Sequence, residues 1–216
     1  MFCFDQPVTL RYINNFKLNQ QHLILVIGWI VYCLVHSFLA DSGIKRRIEL
    51  IAPTWFRYYR LTYSIFAAFT LALLLWYQFS INSYLLFHIP VLQYIVGSFL
   101  LVPGMCIMAV CIKTYFYELS GIQVLDQKEQ EVTLRTDGLH RFVRHPLYLG
   151  TLLFIGGIFL FVPLLSNLIA GLIILIYTLI GIKLEEKQLL LEFGDDYRKY
   201  SEKVPGLLPR LKSGIK

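Results

Sequence analysis

GLHRFVRHPLYLG, residues 138–150, joins a polar, charged segment to a long apolar run. Pro146 suits the first turn of a helix, because its fixed φ fits there and its missing N–H would have no intrahelical partner. Arg144 and His145 therefore precede a helix N-terminus, whose free N–H groups and dipole favour an anion. Gly150, one turn into the helix, leaves room for a ligand or for another backbone.

The composition is that of a membrane protein. Hydrophobic residues make up 56% of the 216 residues and charged residues only 16%, and the mean hydropathy is +0.59. No basic region leads into a short apolar stretch with a small-residue cleavage site, so the first apolar run is expected to be a retained helix. We predict an all-α integral membrane protein with five transmembrane helices and a cytosolic helical extension at the C-terminus. The predicted spans are residues 23–40, 58–79, 91–112, 146–162 and 164–182.

The placement of charge predicts an orientation. None of the 20 Lys and Arg residues falls between residues 61 and 112 or between 145 and 182, and only Arg11 and Lys17 oppose the pattern. A nucleic-acid binder of net charge +6 would not exclude its charges from alternate loops, so the pattern indicates a multi-pass protein in contact with membrane lipids. We expect the N-terminus outside and the C-terminus in the cytosol.

The whole chain is interpreted as a single membrane domain, residues 1–216. The first three spans occupy residues 1–112, a cytosolic connector follows at 113–145, and a helical hairpin with a cofactor-binding tail takes up 146–216. The connection at residues 41–57 is expected to be a loop, and residues 1–22 a short interfacial segment. Three of the four cysteines lie in apolar runs without C-x-x-C spacing, and His140 and His145 lack metal-ligand company. Neither a disulfide framework nor a metal site is expected.

A second polar stretch, residues 185–200, follows the last predicted span and reads EEKQLLLEFGDDYRKY. Glu185 and Glu186 can accept hydrogen bonds from ribose hydroxyls or from an α-ammonium group. Tyr148, Tyr197 and Tyr200 can pack on a purine and still offer a hydroxyl. Together with Arg144 and His145 for a carboxylate, this inventory suits a cofactor such as S-adenosylmethionine.

Each of these residues also has a structural interpretation. Arg144 and His145 can anchor a helix at the membrane interface, and the two glutamates can pair with neighbouring lysines on a solvated helix end. His36 is an ionisable group inside the first predicted span, which indicates a functional role by default. A neutral histidine bonded to another helix is the alternative.

In combination, the C-terminal motifs resemble the isoprenylcysteine carboxyl methyltransferase superfamily of integral membrane methyltransferases. The resemblance covers residues 138–209: G-x-x-R-x-x-R-H-P-x-Y-x-G, a two-helix hairpin, E-E-x-x-L-x-x-x-F-G-x-x-Y-x-x-Y, and a closing V-P-x-x-x-P. Within that superfamily, three shorter motifs are similar to the methanethiol S-methyltransferase and nurim group. They are H-S-x-L-A from His36, Y-R-L-x-Y from Tyr59, and E-L-x-G-I-Q from Glu118.

The resemblance implies a five-helix fold that binds S-adenosylmethionine at the cytosolic side, with the acceptor arriving through the membrane. By that implication, the residues lining the cofactor pocket are His145, Tyr148, Glu185 and Glu186, to which the residue patterns above add Gly150 and Tyr197. The catalytic candidates are Arg60, His36 and Arg144: Arg144 supports the pocket or the acceptor, and Arg60 and His36 lie on the acceptor side. A cation or a base there would help a thiol react as its thiolate.

Several functions remain open on the sequence. A small or lipophilic thiol is the preferred acceptor, and a prenylcysteine carboxylate or a lipid amine is the alternative. Membrane sterol reductases that use NADPH share the C-terminal pattern, but they commonly carry Asn where this chain has Leu147. A non-catalytic, nurim-like membrane protein is the third possibility. The sequence leaves the oligomeric state unknown.

Overall fold

A computed structural model describes residues 19–120 and 133–208. Over these residues the chain is all-helical, apart from one isolated β-bridge between Leu85 and Leu164. A short 3-10 helix at Gly138–Arg141 precedes the fifth α-helix. The α-helices are α1 (Gln20–Ala40), α2 (Ser42–Ile51), α3 (Pro53–Ser80), α4 (Pro90–Ser120), α5 (Pro146–Phe161) and α6 (Leu165–Lys203).

Four of the described helices are long and apolar enough to cross a membrane: α1, α3, α4 and α6. The all-α membrane class predicted from the sequence is therefore confirmed. The predicted fourth span corresponds to α5, which is apolar but has only 16 residues. At 1.5 Å per residue it is about 24 Å long, somewhat less than the roughly 30 Å of a bilayer core. The predicted interfacial segment at residues 1–22 lies mostly outside the described residues.

The connection at residues 41–57 is largely helical, which corrects the loop predicted there. Asp41 caps α2 by accepting hydrogen bonds from the backbone N–H groups of Gly43 and Ile44, at 2.9 and 3.1 Å. Pro53 then opens α3 in the first turn, where a proline loses no hydrogen bond. The helix that contains the second predicted span, residues 58–79, therefore begins five residues before that span, at Pro53.

Glycines let α4 and α5 pack almost backbone to backbone. A Cβ at Gly104 would lie 2.6 Å from the backbone nitrogen of Phe154, and one at Gly157 would lie 2.7 Å from that of Leu101. Real side chains do not tolerate such distances, so the glycines are required for this approach. Pro103 lies inside the continuous α4 helix. This contact fixes the position of α5, whose N-terminus carries the candidate site.

The α5–α6 connection is only three residues long, as the predicted hairpin requires. Its Pro163 is fully buried. The Pro163 carbonyl accepts from the N–H of Leu86 at 2.8 Å, and the N–H of Leu165 donates to the Tyr84 carbonyl at 2.9 Å. These two bonds tie the connection to the segment between α3 and α4.

Helix α6 continues well beyond its apolar part, which ends near residue 182. Gly194 interrupts it with a φ of +54°, after which the helix resumes to Lys203. The sequence predicted a helix end at Gly194. The positive φ agrees with that prediction, and the second helical segment was not foreseen. The change of direction brings Tyr197 back against the start of α5.

Candidate functional site

The C-terminal segment lies directly against the start of α5. The backbone N–H of Arg144 donates to the Pro205 carbonyl at 2.9 Å, and that of His145 donates to the Gly206 carbonyl at 3.1 Å. Residues 144–145 thus have their backbone N–H groups occupied by this chain's own tail. The start of α5 and the C-terminal segment, 61 residues apart in sequence at these bonds, form one structural unit.

The Arg144 guanidinium is hydrogen-bonded to the middle of α6 and to its C-terminal end. Its Nε donates to Oε1 of Glu186 at 2.9 Å, and its Nη2 contacts the same oxygen. Its Nη1 donates to the backbone carbonyls of Ser201 at 2.8 Å and Val204 at 2.6 Å. Most of the guanidinium is therefore engaged within the protein. Arg144 joins the helix α6, its C-terminal end and the start of α5.

His145 lies between the two glutamates. Its Nε2 is 3.1 Å from Oε1 of Glu186, and its Nδ1 is 3.6 Å from Oε2 of Glu185. The ring is buried, with only 4% of the residue exposed, and stacks on Tyr148 with ring centroids 5.7 Å apart. Contacts on both edges and on one face fix the orientation of the imidazole.

Burial alone would raise the pKa of Glu186, because it disfavours the charged form. The hydrogen bonds and positive charge of Arg144, together with the contact from His145, outweigh this effect and hold the pKa below its usual value. Glu186 is therefore a carboxylate at neutral pH. Burial and the nearby Glu186 charge raise the pKa of Tyr197 to about 12, so its phenol stays protonated.

A cavity of about 440 Å³, here called the polar cavity, opens at this junction. Helices α3, α5 and α6 and the segment before α5 all contribute to its wall. Both signs of charge and several aromatic rings are present. Its lining includes Arg60, His145, Tyr148, Glu185, Phe193 and Tyr197.

The polar cavity brings together most of the site residues predicted from the sequence. Arg60, Arg144, His145, Tyr148, Glu185 and Tyr197 all line it. Glu186 and Gly150 do not. Glu186 lies behind His145 on the Arg144 side, where it borders a shallower depression with Lys187 and Arg198. A Cβ on Gly150 would meet Met108 and Ile107 at 3.0 Å, so the close approach predicted for Gly150 is to α4.

His36 lies elsewhere, in a second cavity of about 340 Å³, here called the apolar cavity. Its Nδ1 is 3.0 Å from the hydroxyl of Tyr177, and the same hydroxyl is 2.9 Å from Oγ of Ser37. Sequence reasoning missed Tyr177. Its position in the middle of the apolar run 165–182 could have indicated a hydrogen-bonding partner for His36. The cavity is walled by α1, α3, α4, α5 and α6, and its lining includes Trp29, Cys33, Leu75, Gln78, Thr151, Phe154, Asn167 and Ala170.

Two of the three front motifs are bonded to each other. The Tyr63 hydroxyl donates to the His36 carbonyl at 3.3 Å, and the Tyr59 hydroxyl donates to the Leu39 carbonyl at 2.7 Å. Arg60, between these tyrosines, forms no ion pair with any residue that the structure describes. The third motif, from Glu118, extends into residues 121–123, and the closing proline of the tail motif is residue 209. Both positions lie outside the described residues.

Comparison with known proteins matches this chain to one family model and to several relatives named as methyltransferases. A family model described as "NnrU protein" matches residues 24–207. A methanethiol S-methyltransferase from Crocosphaera subtropica is 28% identical over 196 residues, which cover 87% of this chain and 74% of the relative.

Two further relatives extend the comparison. A methanethiol S-methyltransferase from Pseudomonas deceptionensis is 30% identical over 195 residues, covering 84% of this chain and 70% of that protein. A protein-S-isoprenylcysteine O-methyltransferase from Schizosaccharomyces pombe is 33% identical over 87 residues, 40% of this chain and 37% of that protein. No solved structure matches the chain significantly.

Proposed function

This chain belongs to the NnrU protein family, and from that membership we propose that it is an integral membrane methyltransferase that transfers a methyl group from S-adenosylmethionine to a thiol. Relatives over most of its length carry the name methanethiol S-methyltransferase. The observation that carries the proposal is the polar cavity itself. It gathers an arginine, a buried histidine, a glutamate and aromatic rings from separate motifs at one junction of helices.

The polar cavity fits the cofactor in size and in chemistry. Its volume of about 440 Å³ is within the range of roughly 300–1,000 Å³ typical of ligand pockets. Arg60 supplies a cation without an ion-pair partner among the described residues, which suits the cofactor carboxylate. Glu185 suits an ammonium group or ribose hydroxyls, and Tyr148, Phe193 and Tyr197 suit an adenine ring.

Arg144 and Glu186 are assigned a supporting role. Because the Arg144 guanidinium is already bonded to the Glu186 carboxylate and to two backbone carbonyls, it is assigned to hold the wall of the polar cavity and not to bind the cofactor carboxylate. Glu186 in turn orients His145. These two residues position the side chains that line the cavity, and their removal would disorder it.

The reaction requires a donor, an acceptor and a base. When bound, S-adenosylmethionine would supply the methyl group: an S–CH₃ bond would form on the acceptor sulfur as the methyl–sulfonium bond breaks, the electron pair of that bond would remain on S-adenosylhomocysteine, and the thiol proton would be released. His36 is assigned to take that proton at Nε2, in the tautomer whose Nδ1–H donates to the Tyr177 hydroxyl. Arg60 lines the polar cavity and is assigned to the cofactor carboxylate there, so formation of the thiolate depends on His36.

The same proposal includes a membrane arrangement. Helix α5 crosses most of the bilayer beside α4 as the fourth of five spans, the N-terminus is outside, and the C-terminus is in the cytosol. The charge-free loops and the Lys- and Arg-rich segments support this orientation. The polar cavity then opens to the cytosol, where the water-soluble cofactor is available.

Calorimetric titration of S-adenosylhomocysteine into detergent-purified protein tests the proposal. We expect saturable binding that His145→Ala weakens by about tenfold or more, equivalent to 1.4 kcal/mol. NADPH serves as the control ligand and should not bind. His88→Ala, an exposed histidine in the α3–α4 connection, is the matched control variant. Folded protein that binds neither ligand would contradict the proposal and favour a non-catalytic role, and NADPH binding would favour a reductase.

A further inference from the structure

The apolar cavity and the polar cavity follow one another along α5. Pro146, Leu147 and Tyr148 line the polar cavity, and Thr151 and Phe154 continue into the apolar one. Tyr148 and Thr151 are three residues apart, about 4.5 Å along a helix axis. On α1 and α6, His36 and Tyr177 mark the same end of the apolar cavity. A molecule in the apolar cavity therefore has one end near the proposed methyl donor.

The opposite end is closed by polar side chains that satisfy one another. Nε1 of Trp29 donates to Gln78 at 2.9 Å, and Nε2 of Gln78 donates to Asn167 at 2.8 Å. Nδ2 of Asn167 donates to the Val162 carbonyl at 2.8 Å. Because these donors are already bonded, the floor of the cavity offers little to a charged or strongly polar ligand. The occupant must be largely apolar.

The remaining wall lies where α3 and α4 approach each other. Helix α4 packs along the length of α5 and meets α3 at few positions. Leu71 and Leu75 of α3 and Met108 of α4 line the cavity across this sparsely packed boundary. We expect an apolar molecule dissolved in the bilayer to enter the cavity across this boundary.

The size of the cavity restricts the acceptor. A cavity of about 150 Å³ lined by aliphatic and aromatic side chains holds a benzene molecule, and the apolar cavity measures about 340 Å³. The single methyl group of methanethiol would leave most of this space unfilled, and unfilled apolar space forfeits packing energy. A ring or a chain of several carbons would fill it.

We infer that the apolar cavity holds the acceptor, and that the preferred acceptor is an uncharged apolar thiol of the size of benzyl mercaptan or hexanethiol, taken up from the lipid. Its sulfur lies at the His36 end and its apolar body reaches toward Trp29. This inference rests on the proposed methyltransferase function. It differs from the relatives' printed names in the size of the substrate.

A matched pair of variants tests the site. Leu75→Phe narrows the apolar cavity, whereas Leu73→Phe adds the same group on the lipid-facing side of α3, where Leu73 is 49% exposed. The readout is kcat/KM for benzyl mercaptan divided by kcat/KM for methanethiol. We expect the ratio to fall about tenfold or more in Leu75→Phe, since the added phenyl group removes apolar space that the ring of benzyl mercaptan would fill and methanethiol would not. In Leu73→Phe it should stay at the wild-type value. The thiols partition into detergent equally in the two assays, so partitioning does not affect the comparison of the two variants.

Binding without turnover provides an independent readout. In a Trp55→Phe, Trp76→Phe background, both replaced residues being exposed, Trp29 reports on the cavity floor. The product benzyl methyl sulfide should change its emission saturably, and Leu75→Phe should weaken that binding. S-adenosylhomocysteine affinity should be equal in both leucine variants, which shows that both fold.

The outcomes separate the two proposals. Methyl transfer to thiols with equal ratios in the two leucine variants, or no response of Trp29 to the sulfide, would overturn the inference about the apolar cavity. Sulfide binding at Trp29 without methyl transfer to any thiol would overturn the proposed function.

Discussion

Glu186 is the residue on which the geometry of the polar cavity depends most. It binds Arg144 and His145, each of which also connects to another part of the wall. The sequence predicted the glutamate pair and could not separate their roles. Which of two adjacent helical residues faces a cavity depends on the rotation of α6, and packing sets that rotation. For Gly150 the sequence left open a ligand or another backbone, and the structure places it against α4, where a Cβ would lie 3.1 Å from the backbone nitrogen of Met108.

Replacing Glu186 with glutamine should weaken both the fold and the site. The variant keeps the shape but removes the charge that Arg144 and His145 face, at a cost of roughly 2 kcal/mol for hydrogen bonds to a charged group. We expect a lower thermal midpoint and at least tenfold weaker S-adenosylhomocysteine binding by calorimetry. Asp195→Asn, which removes an exposed carboxylate on the same helix, should change neither. Equal effects of the two substitutions would contradict the assigned role.

Glu186 should also make stability depend on pH in the acid range. Its pKa is lower in the fold than the value of about 4.3 expected for an unfolded chain. A depressed carboxyl pKa stabilises the fold above the unfolded value, and the stabilisation is lost as pH falls through the folded value. Thermal midpoints measured from neutral to acid pH should therefore fall below about pH 4.3, and the fall should be smaller in Glu186→Gln. Parallel curves of thermal midpoint against pH for the wild type and Glu186→Gln would contradict the assignment of this pH dependence to Glu186.

His36 should affect turnover without affecting cofactor binding. His36→Gln removes the proposed base in the apolar cavity, and general-base catalysis typically contributes about 10²–10⁴-fold. We expect kcat for thiols to fall within that range while S-adenosylhomocysteine affinity stays unchanged. His88→Gln, at an exposed position, is the control. If cofactor affinity and kcat fall together, His36 is structural and the assignment is wrong.

Among the helices, the glycine contact between α4 and α5 determines where the site lies. Gly104→Ala would force a Cβ to within 2.6 Å of the Phe154 nitrogen, so the two helices must separate. Overpacking of this kind costs about 1–3 kcal/mol, and the thermal midpoint in detergent should fall accordingly. Gly181→Ala on α6 is the control, because its Cβ would meet nothing within 4 Å. A Gly104→Ala protein as stable as the control would show that the contact is not required.

The sequence predicted the long helices well because apolar runs of that length have few alternatives in a membrane. The prediction from sequence missed α2 because the charged residues between 41 and 57 were interpreted as a loop. The cluster at 45–47 reads as a polar connection, although isoleucines and a leucine between residues 44 and 51 give α2 its apolar positions. Short amphipathic helices of this kind are stabilised by packing against neighbours, which one sequence does not display.

The whole molecule places two cavities in series, one among charged groups and one among apolar helices. Such an arrangement requires the polar cavity to face the compartment that supplies the cofactor. In a chain whose four cysteines are replaced, Asn82→Cys lies in the α3–α4 connection and Lys203→Cys near the end of α6, both at exposed positions. We expect a membrane-impermeant maleimide to label Asn82→Cys in right-side-out vesicles and Lys203→Cys in inverted ones. The reverse pattern would contradict the proposed orientation.

The most direct test of the account is methyl transfer itself. Purified protein in lipid vesicles, given S-adenosylmethionine with a deuterated methyl group and benzyl mercaptan, should yield benzyl methyl sulfide carrying that methyl group, detected by mass spectrometry. The yield should depend on His145 and should not depend on NADPH. Labelled thioether at a rate above that of protein-free vesicles is the result expected. Folded protein that binds S-adenosylhomocysteine yet transfers no label to benzyl mercaptan or methanethiol would contradict thiol methylation as its function.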